Sequence, residues 1–170
     1  MAVRVAINGF GRIGRLVLRA ILESRRNDIQ VVGINDLGST EMNAHLLKYD
    51  SVHGILTNDV SVDGDIMEAG SGPIKVTFER DPVNLPWGEL GVEVAMECTG
   101  LFVDRKNASK HLGAGARKVL ISAPGKDSDN TIVYGVNHET LTIVHNVVSN
   151  ASCTTNCLAP VAYVLNEKFK

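Results

Sequence analysis

The apolar positions of the chain change period several times, and each change marks an element boundary. Val3, Val5, Ala6 and Ile7 form a short apolar run, the pattern of a buried strand. Beyond it Ile13, Leu16, Val17, Ala20 and Ile21 recur at steps of three and four, which predicts an amphipathic helix packed back on the sheet. Ile29 to Ile34 is a second apolar run, ending at Asn35-Asp36. The stretch from Val3 to that point has the length, about thirty residues, of a strand–helix–strand unit with parallel strands. Ser39-Thr40 then reads as the cap of a short helix with Met42, Leu46 and Tyr49 on one face.

Residues 51 to 72 mix Gly, Asp and Ser with short apolar alternations, which predicts hairpins, and Ile74 to Phe78 returns to strand pattern before Asp81-Pro82 breaks it. This stretch reads as an insertion between two halves. The alternation resumes with a strand over Val92 to Cys98 and a helix over Asp104 to His111 capped by Asp104. Strands are then predicted over Lys118 to Ser122, Thr131 to Val136 and Ile143 to Ser149. That order is the one expected of an α/β fold with a doubly wound, mainly parallel sheet. The last pattern, Thr154 to Lys170, is helical, with Leu158, Val161, Ala162, Leu165 and Phe169 on one stripe, although Pro160 removes one backbone hydrogen bond. It is still helical at Lys168-Phe169-Lys170, so the sequence reads as a piece of a longer chain.

Composition narrows the function classes. The 170 residues are 44% hydrophobic and 21% charged, with 17 basic and 19 acidic side chains and a formal net charge of -2. Such a balance recruits neither nucleic acid nor an anionic membrane. No uncharged run is long enough to span a bilayer, and Met1 leads directly into strand pattern rather than a secretory signal. Three cysteines at 98, 153 and 157 make a poor disulfide framework and fit a reducing, cytoplasmic location.

Two features carry chemistry. Gly9-Phe10-Gly11-Arg12-Ile13-Gly14 follows a strand and opens a helix, and Asp36 stands about twenty residues beyond the last glycine. In that context Gly9 permits the tight turn, Gly11 lets the backbone approach a pyrophosphate, Gly14 allows close helix–strand packing, and Asp36 accepts from a ribose diol. Asp36 would repel a 2'-phosphate, which favours NAD over NADP. The second feature is Ser152-Cys153-Thr154-Thr155-Asn156, where strand pattern gives way to helix. The first free N–H groups of a helix and the positive end of its dipole favour a thiolate there. The ordinary fate of a free cysteine is a small buried hydrophobe. The polarity of this run argues for a nucleophile at Cys153, while Cys157, one turn on, reads as inert core. No metal site is expected, because none of the five histidines lies near the two close cysteines on their C-terminal side and no His-x-x-x-His pair exists. All five histidines read as surface or satisfied residues. Gly125-Lys126 lacks the first glycine and the Ser or Thr of a phosphate loop and reads as a surface turn.

Taken together, Asn8-Gly-Phe-Gly-Arg-Ile-Gly-Arg15, Asn35-Asp36-Leu37, Lys48-Tyr-Asp-Ser-Val-His-Gly54, Glu79-Arg-Asp-Pro82, Glu97-Cys-Thr-Gly100, Ile121-Ser-Ala-Pro124 and Ser149 to Pro160 resemble the phosphorylating, NAD-dependent glyceraldehyde-3-phosphate dehydrogenase family of glycolysis, in its order. The resemblance implies a Rossmann-type NAD-binding domain over residues 1–151, with residues 152–170 opening a catalytic domain. It implies that Gly9 to Gly14 and Phe10 surround the cofactor, with Arg12 and Ile13 along its phosphates and ribose. Asp36 would hold the adenosine ribose, Arg80 would flank the adenine, and Thr99, Gly100 and Ser122 would lie along the nicotinamide half. Cys153 would be the nucleophile, with Ser152 and Thr154 positioning glyceraldehyde 3-phosphate or inorganic phosphate. A histidine base, most of the substrate-phosphate site and the contacts of a homotetramer are implied beyond residue 170. Erythrose-4-phosphate dehydrogenase shares these motifs and is the alternative enzyme; for residues 1–170 alone the alternative is an inactive NAD-binding domain that binds the cofactor without turnover. A non-enzymatic interaction protein would have no nucleotide affinity.

Overall fold

The computed structural model describes residues 2–170. The predicted first unit is present as β1 (Val3–Asn8), α1 (Arg12–Glu23) and β2 (Ile29–Asn35), with β1 and β2 parallel. After α2 (Thr40–Lys48) come a two-stranded ribbon, β3 (Tyr49–Asp50) and β4 (Gly54–Ile55), then β5 (Ser61–Asp63), β6 (Ile66–Glu68) and β7 (Pro73–Thr77). The second half runs β8 (Val94–Glu97), α3 (Arg105–Ala108), α4 (Lys110–Gly113), β9 (Lys118–Ile121), β10 (Asn130–Thr131), β11 (Val147–Ser149) and α5 (Cys153–Phe169).

These strands form a nine-stranded sheet in the order β10-β11-β9-β8-β1-β2-β7-β6-β5. The strands from β10 to β7 are mutually parallel; β6 and β5 add an antiparallel edge. The stretch read as an insertion is therefore an extension of the sheet beyond β7. The chain winds outward from β1 in one direction through β2 and β7, and in the other through β8, β9 and β11. The direction reverses between β1 and β8, and at such a switch the carboxyl ends of the strands open into a crevice.

Alternation along each strand divides the core. Ile7, Val31, Ile34 and Val76 meet Leu18, Ile21 and Leu22 of α1 and Leu47 of α2 on one face, while Ala6, Val32 and Ala95 meet Leu85, Trp87 and Val92 on the other. Full burial of each large aliphatic side chain stabilises the fold by about 1.5–3 kcal/mol.

Four local expectations are corrected. Ser39 does cap α2, its Oγ accepting from Met42 N at 3.2 Å, but Met42, Leu46 and Tyr49 point outward and Asn43, Ala44 and Leu47 are buried. The choice of face was made by the packing of α2 on β5 and β6. The helix expected from Asp104 to His111 is two short helices broken at Ser109, although Asp104 caps the first by accepting from Asn107 N at 2.9 Å. The strands expected over Thr131 to Val136 and Ile143 to Ser149 shorten to Asn130–Thr131 and Val147–Ser149. Lys118 Nζ donates to the carbonyls of Ile143 and His145, each at 2.8 Å, and so occupies groups that a strand would have used, leaving Ile143 and Val144 exposed. Cys157 is exposed rather than core, as are Leu158, Val161, Leu165 and Phe169 on the stripe of α5. Among the described residues, no helix is long and apolar enough to cross a membrane.

Candidate NAD crevice and thiol site

The turn after β1 is shaped by steric limits. Gly9 has φ +90°, and a Cβ on it would lie 2.7 Å from Thr99 N, so only glycine fits against the turn that follows β8. A Cβ on Gly14 would stand 2.2 Å from Gly9 O and 2.9 Å from Ile7 Cγ2; its absence lets α1 press on β1. Gly11 is different. A Cβ there would meet nothing within 4 Å, so it faces open space at the start of α1, where no side chain caps the helix. Free N–H groups with space in front of them suit a phosphate.

Asp36, just past β2, holds this turn: its Oδ2 accepts from Phe10 N at 2.8 Å and its Oδ1 from Gly38 N at 2.9 Å. Each carboxylate oxygen keeps a lone pair for a diol. A cavity of about 350 Å³ opens here, lined by Gly9, Gly11, Asp36, Arg80, Thr99 and Phe102 among others. These residues fit the adenosine and pyrophosphate of a dinucleotide, with space, donors and a ribose acceptor in order. Thr99, which the resemblance assigns to the nicotinamide half, thus shares one cavity with Asp36 and Arg80. Gly100 follows it at φ +75°, exposed.

Phe10 is buried beneath the turn and Ile13 is half exposed at its outer side. The Arg12 guanidinium is turned away to Asp50 Oδ2, 2.7 Å distant, and ties the β3–β4 ribbon to the turn. Asp50 also accepts from the backbone N–H groups of His53 and Val52. These bonds, with Arg12 adding to them, hold its carboxyl well below the usual carboxylate range.

Further along the same end of the sheet, Ser122 follows β9 and donates its backbone N–H to Glu97 O at 3.0 Å. Next to it β11 ends in a strained turn, with Ala151 at φ +57°. Ser149 Oγ accepts from Ala151 N at 3.1 Å and Asn156 Nδ2 donates to Asn150 O at 2.7 Å, and these bonds pin the turn. Ser152 caps α5 by accepting from Thr155 N at 3.0 Å, and its hydroxyl meets those of Thr154 and Thr155 at 2.9 and 2.7 Å. Cys153 is the first residue of α5 and is exposed. Its N–H and that of Thr154 find no acceptor among the described residues, and such free amides at a helix start suit an anion or oxyanion. The glycine turn and Cys153 share the carboxyl end of the sheet but not one cavity. β11 is three strand steps from β1, about 14 Å at ordinary strand spacing.

Cys98 contrasts with Cys153. Burial pushes its thiol up to about 11, a hydrogen bond with Ser122 opposes this, and the Glu97 charge adds to it. At pH 8 Cys153 and Cys157 should alkylate rapidly and the half-buried Cys98, with its raised thiol, more slowly, which mass spectrometry of the iodoacetamide-treated protein checks. Equal labelling rates at all three would contradict the partial burial of Cys98. Because the folded value lies above the ordinary 9.0, this thiol's contribution to stability is complete below pH 9 and is lost as pH rises toward 11.

Residues 3–105 match the family model described as "Glyceraldehyde 3-phosphate dehydrogenase, NAD binding domain". This chain belongs to the glyceraldehyde 3-phosphate dehydrogenase family. It is 65% identical over 167 residues to glyceraldehyde-3-phosphate dehydrogenase of Xanthobacter flavus and 62% identical over 167 residues to that of Cereibacter sphaeroides, in each case over 98% of this chain and 50% of the relative. Glyceraldehyde-3-phosphate dehydrogenase 1 of Bacillus subtilis is 56% identical over 170 residues, 99% of this chain and 50% of the relative. The chain therefore spans about half the length of the curated relatives it matches. As in the dehydrogenase family's NAD binding domain, the cofactor of this chain is NAD.

One group of residues went unread in the sequence. Asn8, Asn35, Glu97 and His111 are all buried and hydrogen-bonded to one another beneath the crevice, with Trp87 at one end. The available signal was a carboxylate inside the apolar run Val94 to Cys98, where a charge has no place unless it is fully bonded.

Proposed function

We propose that the chain is the NAD-binding half of a phosphorylating dehydrogenase that oxidises glyceraldehyde 3-phosphate, with residues 1–151 as the NAD-binding domain and residues 152–170 opening the catalytic domain. The observation that carries this reading is the exposed Cys153 at the first turn of α5, on the same end of the sheet as the glycine turn. Gly9 to Gly14, Asp36, Arg80, Thr99 and Gly100 hold the cofactor, and Ser122 extends that wall toward the thiol.

The Cys153 thiolate adds to the aldehyde carbon, and the carbonyl oxygen takes a proton from the conjugate acid of the base to become the hydroxyl of a hemithioacetal. NAD, when bound, accepts the hydride that this carbon loses. The hydroxyl proton leaves to a base and a thioester remains on Cys153. Inorganic phosphate then displaces the sulfur, which departs as thiolate. Ser152 and Thr154, with the free amides of the helix start, bind the oxyanion or the incoming phosphate. A soft nucleophile is required because it must both add readily and leave readily. The base comes from outside the described contacts of Cys153.

Titration with NAD by calorimetry, beside an assay with glyceraldehyde 3-phosphate and inorganic phosphate, tests the reading; a chain without NAD affinity would refute it. Asp36→Ala should weaken NAD about 100-fold and relax discrimination against NADP, because two charged hydrogen bonds to the ribose are lost. An unchanged preference ratio would contradict this placement of the carboxylate.

A further inference from the structure

The buried network beneath the crevice has fixed polarity. At one end the Glu79 N–H can only donate, and it donates to Asn35 Oδ1 at 2.8 Å. Asn35 must therefore turn its Nδ2 to Asn8 Oδ1, 2.7 Å away, and Asn8 must turn its own Nδ2 to Glu97 Oε2, 2.6 Å away. At the other end the Trp87 indole N–H can only donate, and it donates to His111 Nδ1 at 3.0 Å. The remaining proton of the ring is then on Nε2, which donates to the same Glu97 Oε2 at 3.0 Å. The Leu101 N–H donates to Thr99 Oγ1 at 3.0 Å, which frees the Thr99 hydroxyl proton for Glu97 Oε1, and Thr99 N donates to that oxygen at 2.7 Å.

Four donors thus converge on one carboxylate that is 1% exposed, and no side-chain cation stands among them. All four groups are placed to donate to the two carboxyl oxygens. Burying such a charge is costly, and an apolar residue would serve the core better. What the charge does achieve is local: it fixes Thr99, which lines the cavity, and Asn8, which delivers the chain to Gly9.

We infer that Glu97 is a positioning residue of the NAD crevice, its carboxylate clamping the Thr99 turn against the glycine turn so that the cofactor meets both walls preformed. The inference rests on the NAD reading of the crevice. It assigns Trp87 and His111 the task of presenting an N–H, rather than a lone pair, to Glu97.

The test is NAD binding by calorimetry with folding followed by circular dichroism. Wild-type binding tests the reading of the crevice; the variants test the clamp. Glu97→Gln keeps the shape but sets an amide N–H against existing donors, and should weaken NAD about tenfold or more while the chain remains folded. Adding Trp87→Phe removes the indole donor, frees His111 to present a lone pair to the new amide, and should recover part of the lost affinity. A merely structural role predicts the reverse, since losing a buried indole adds damage. Affinity within about twofold of wild type in Glu97→Gln, or no recovery in the double variant, overturns the clamp. If either glutamine variant fails to fold, Thr99→Val decides: it removes one of the four donors, and should weaken NAD about threefold in a folded chain, whereas unchanged affinity overturns the proposal.

Discussion

Replacing Cys153 by serine should abolish dehydrogenase turnover while leaving NAD affinity nearly intact. In a protein carrying this chain at the length of its relatives, the loss should be at least about 100-fold in kcat, or about 3 kcal/mol of transition-state stabilisation. A serine hydroxyl retains the volume and the helix-start position but is a far weaker nucleophile, and its ester releases acyl to phosphate less readily than a thioester does. NAD binding should survive because Cys153 lies three strand steps from the glycine turn and outside the cavity at Asp36. Steady-state kinetics beside calorimetry measures both quantities. Turnover near wild type in the serine variant would exclude the covalent route.

The glycine turn yields a second large effect, and it separates folding from binding. Gly14→Ala places a methyl 2.2 Å from Gly9 O, a backbone atom that cannot yield without moving β1 or α1. The expected cost is about 3 kcal/mol or more of stability, a fall in Tm of about 6–12 °C, with NAD affinity lost as the turn shifts. Gly11→Ala places its methyl in open space at φ -68°, an ordinary backbone conformation, so the chain should fold with unchanged Tm. NAD should nonetheless be lost, because that open space is where the pyrophosphate belongs. Thermal melts and NAD titrations of the two variants form the comparison. Equal Tm losses in both, or wild-type NAD affinity in Gly11→Ala, would contradict the assignment of the turn.

The parts of this fold that the sequence made legible are those decided locally. The run Val3 to Ile7, the periodic Ile13 to Ile21 and the glycines between them declare a strand, a turn and a helix without help from the rest of the chain. Ser39 and Asp104 announce their caps for the same reason. The illegible parts depend on distant partners. Met42, Leu46 and Tyr49 have helical spacing, but Asn43, Ala44 and Leu47 share that helix on its other side, and only the position of β5 and β6 chooses between the faces. The apolar run at Ile143 and Val144 overshoots its strand because Lys118, twenty-five residues earlier, takes the carbonyl of Ile143. Residues 8, 35, 97 and 111 have no common spacing, so their convergence on one carboxylate is a property of the assembled sheet alone. At the thiol, the polar run around Cys153 marked the helix start in advance, whereas the pinning of Ala151 by Ser149 became visible only in three dimensions.

The position of β1 between β2 and β8 has a consequence for biosynthesis. β2 leaves the ribosome shortly after β1, but Glu97, the partner of Asn8 across the other edge, follows 89 residues later. In that interval the nascent polypeptide carries a hydrogen-bonding edge with nothing to pair it, the template on which strands from other molecules add. NAD offers no shelter during this period, since the Thr99 wall has yet to be translated. Only β8 closes that edge, so a chain truncated before Val94 should pair with other molecules there and aggregate more readily than the full chain.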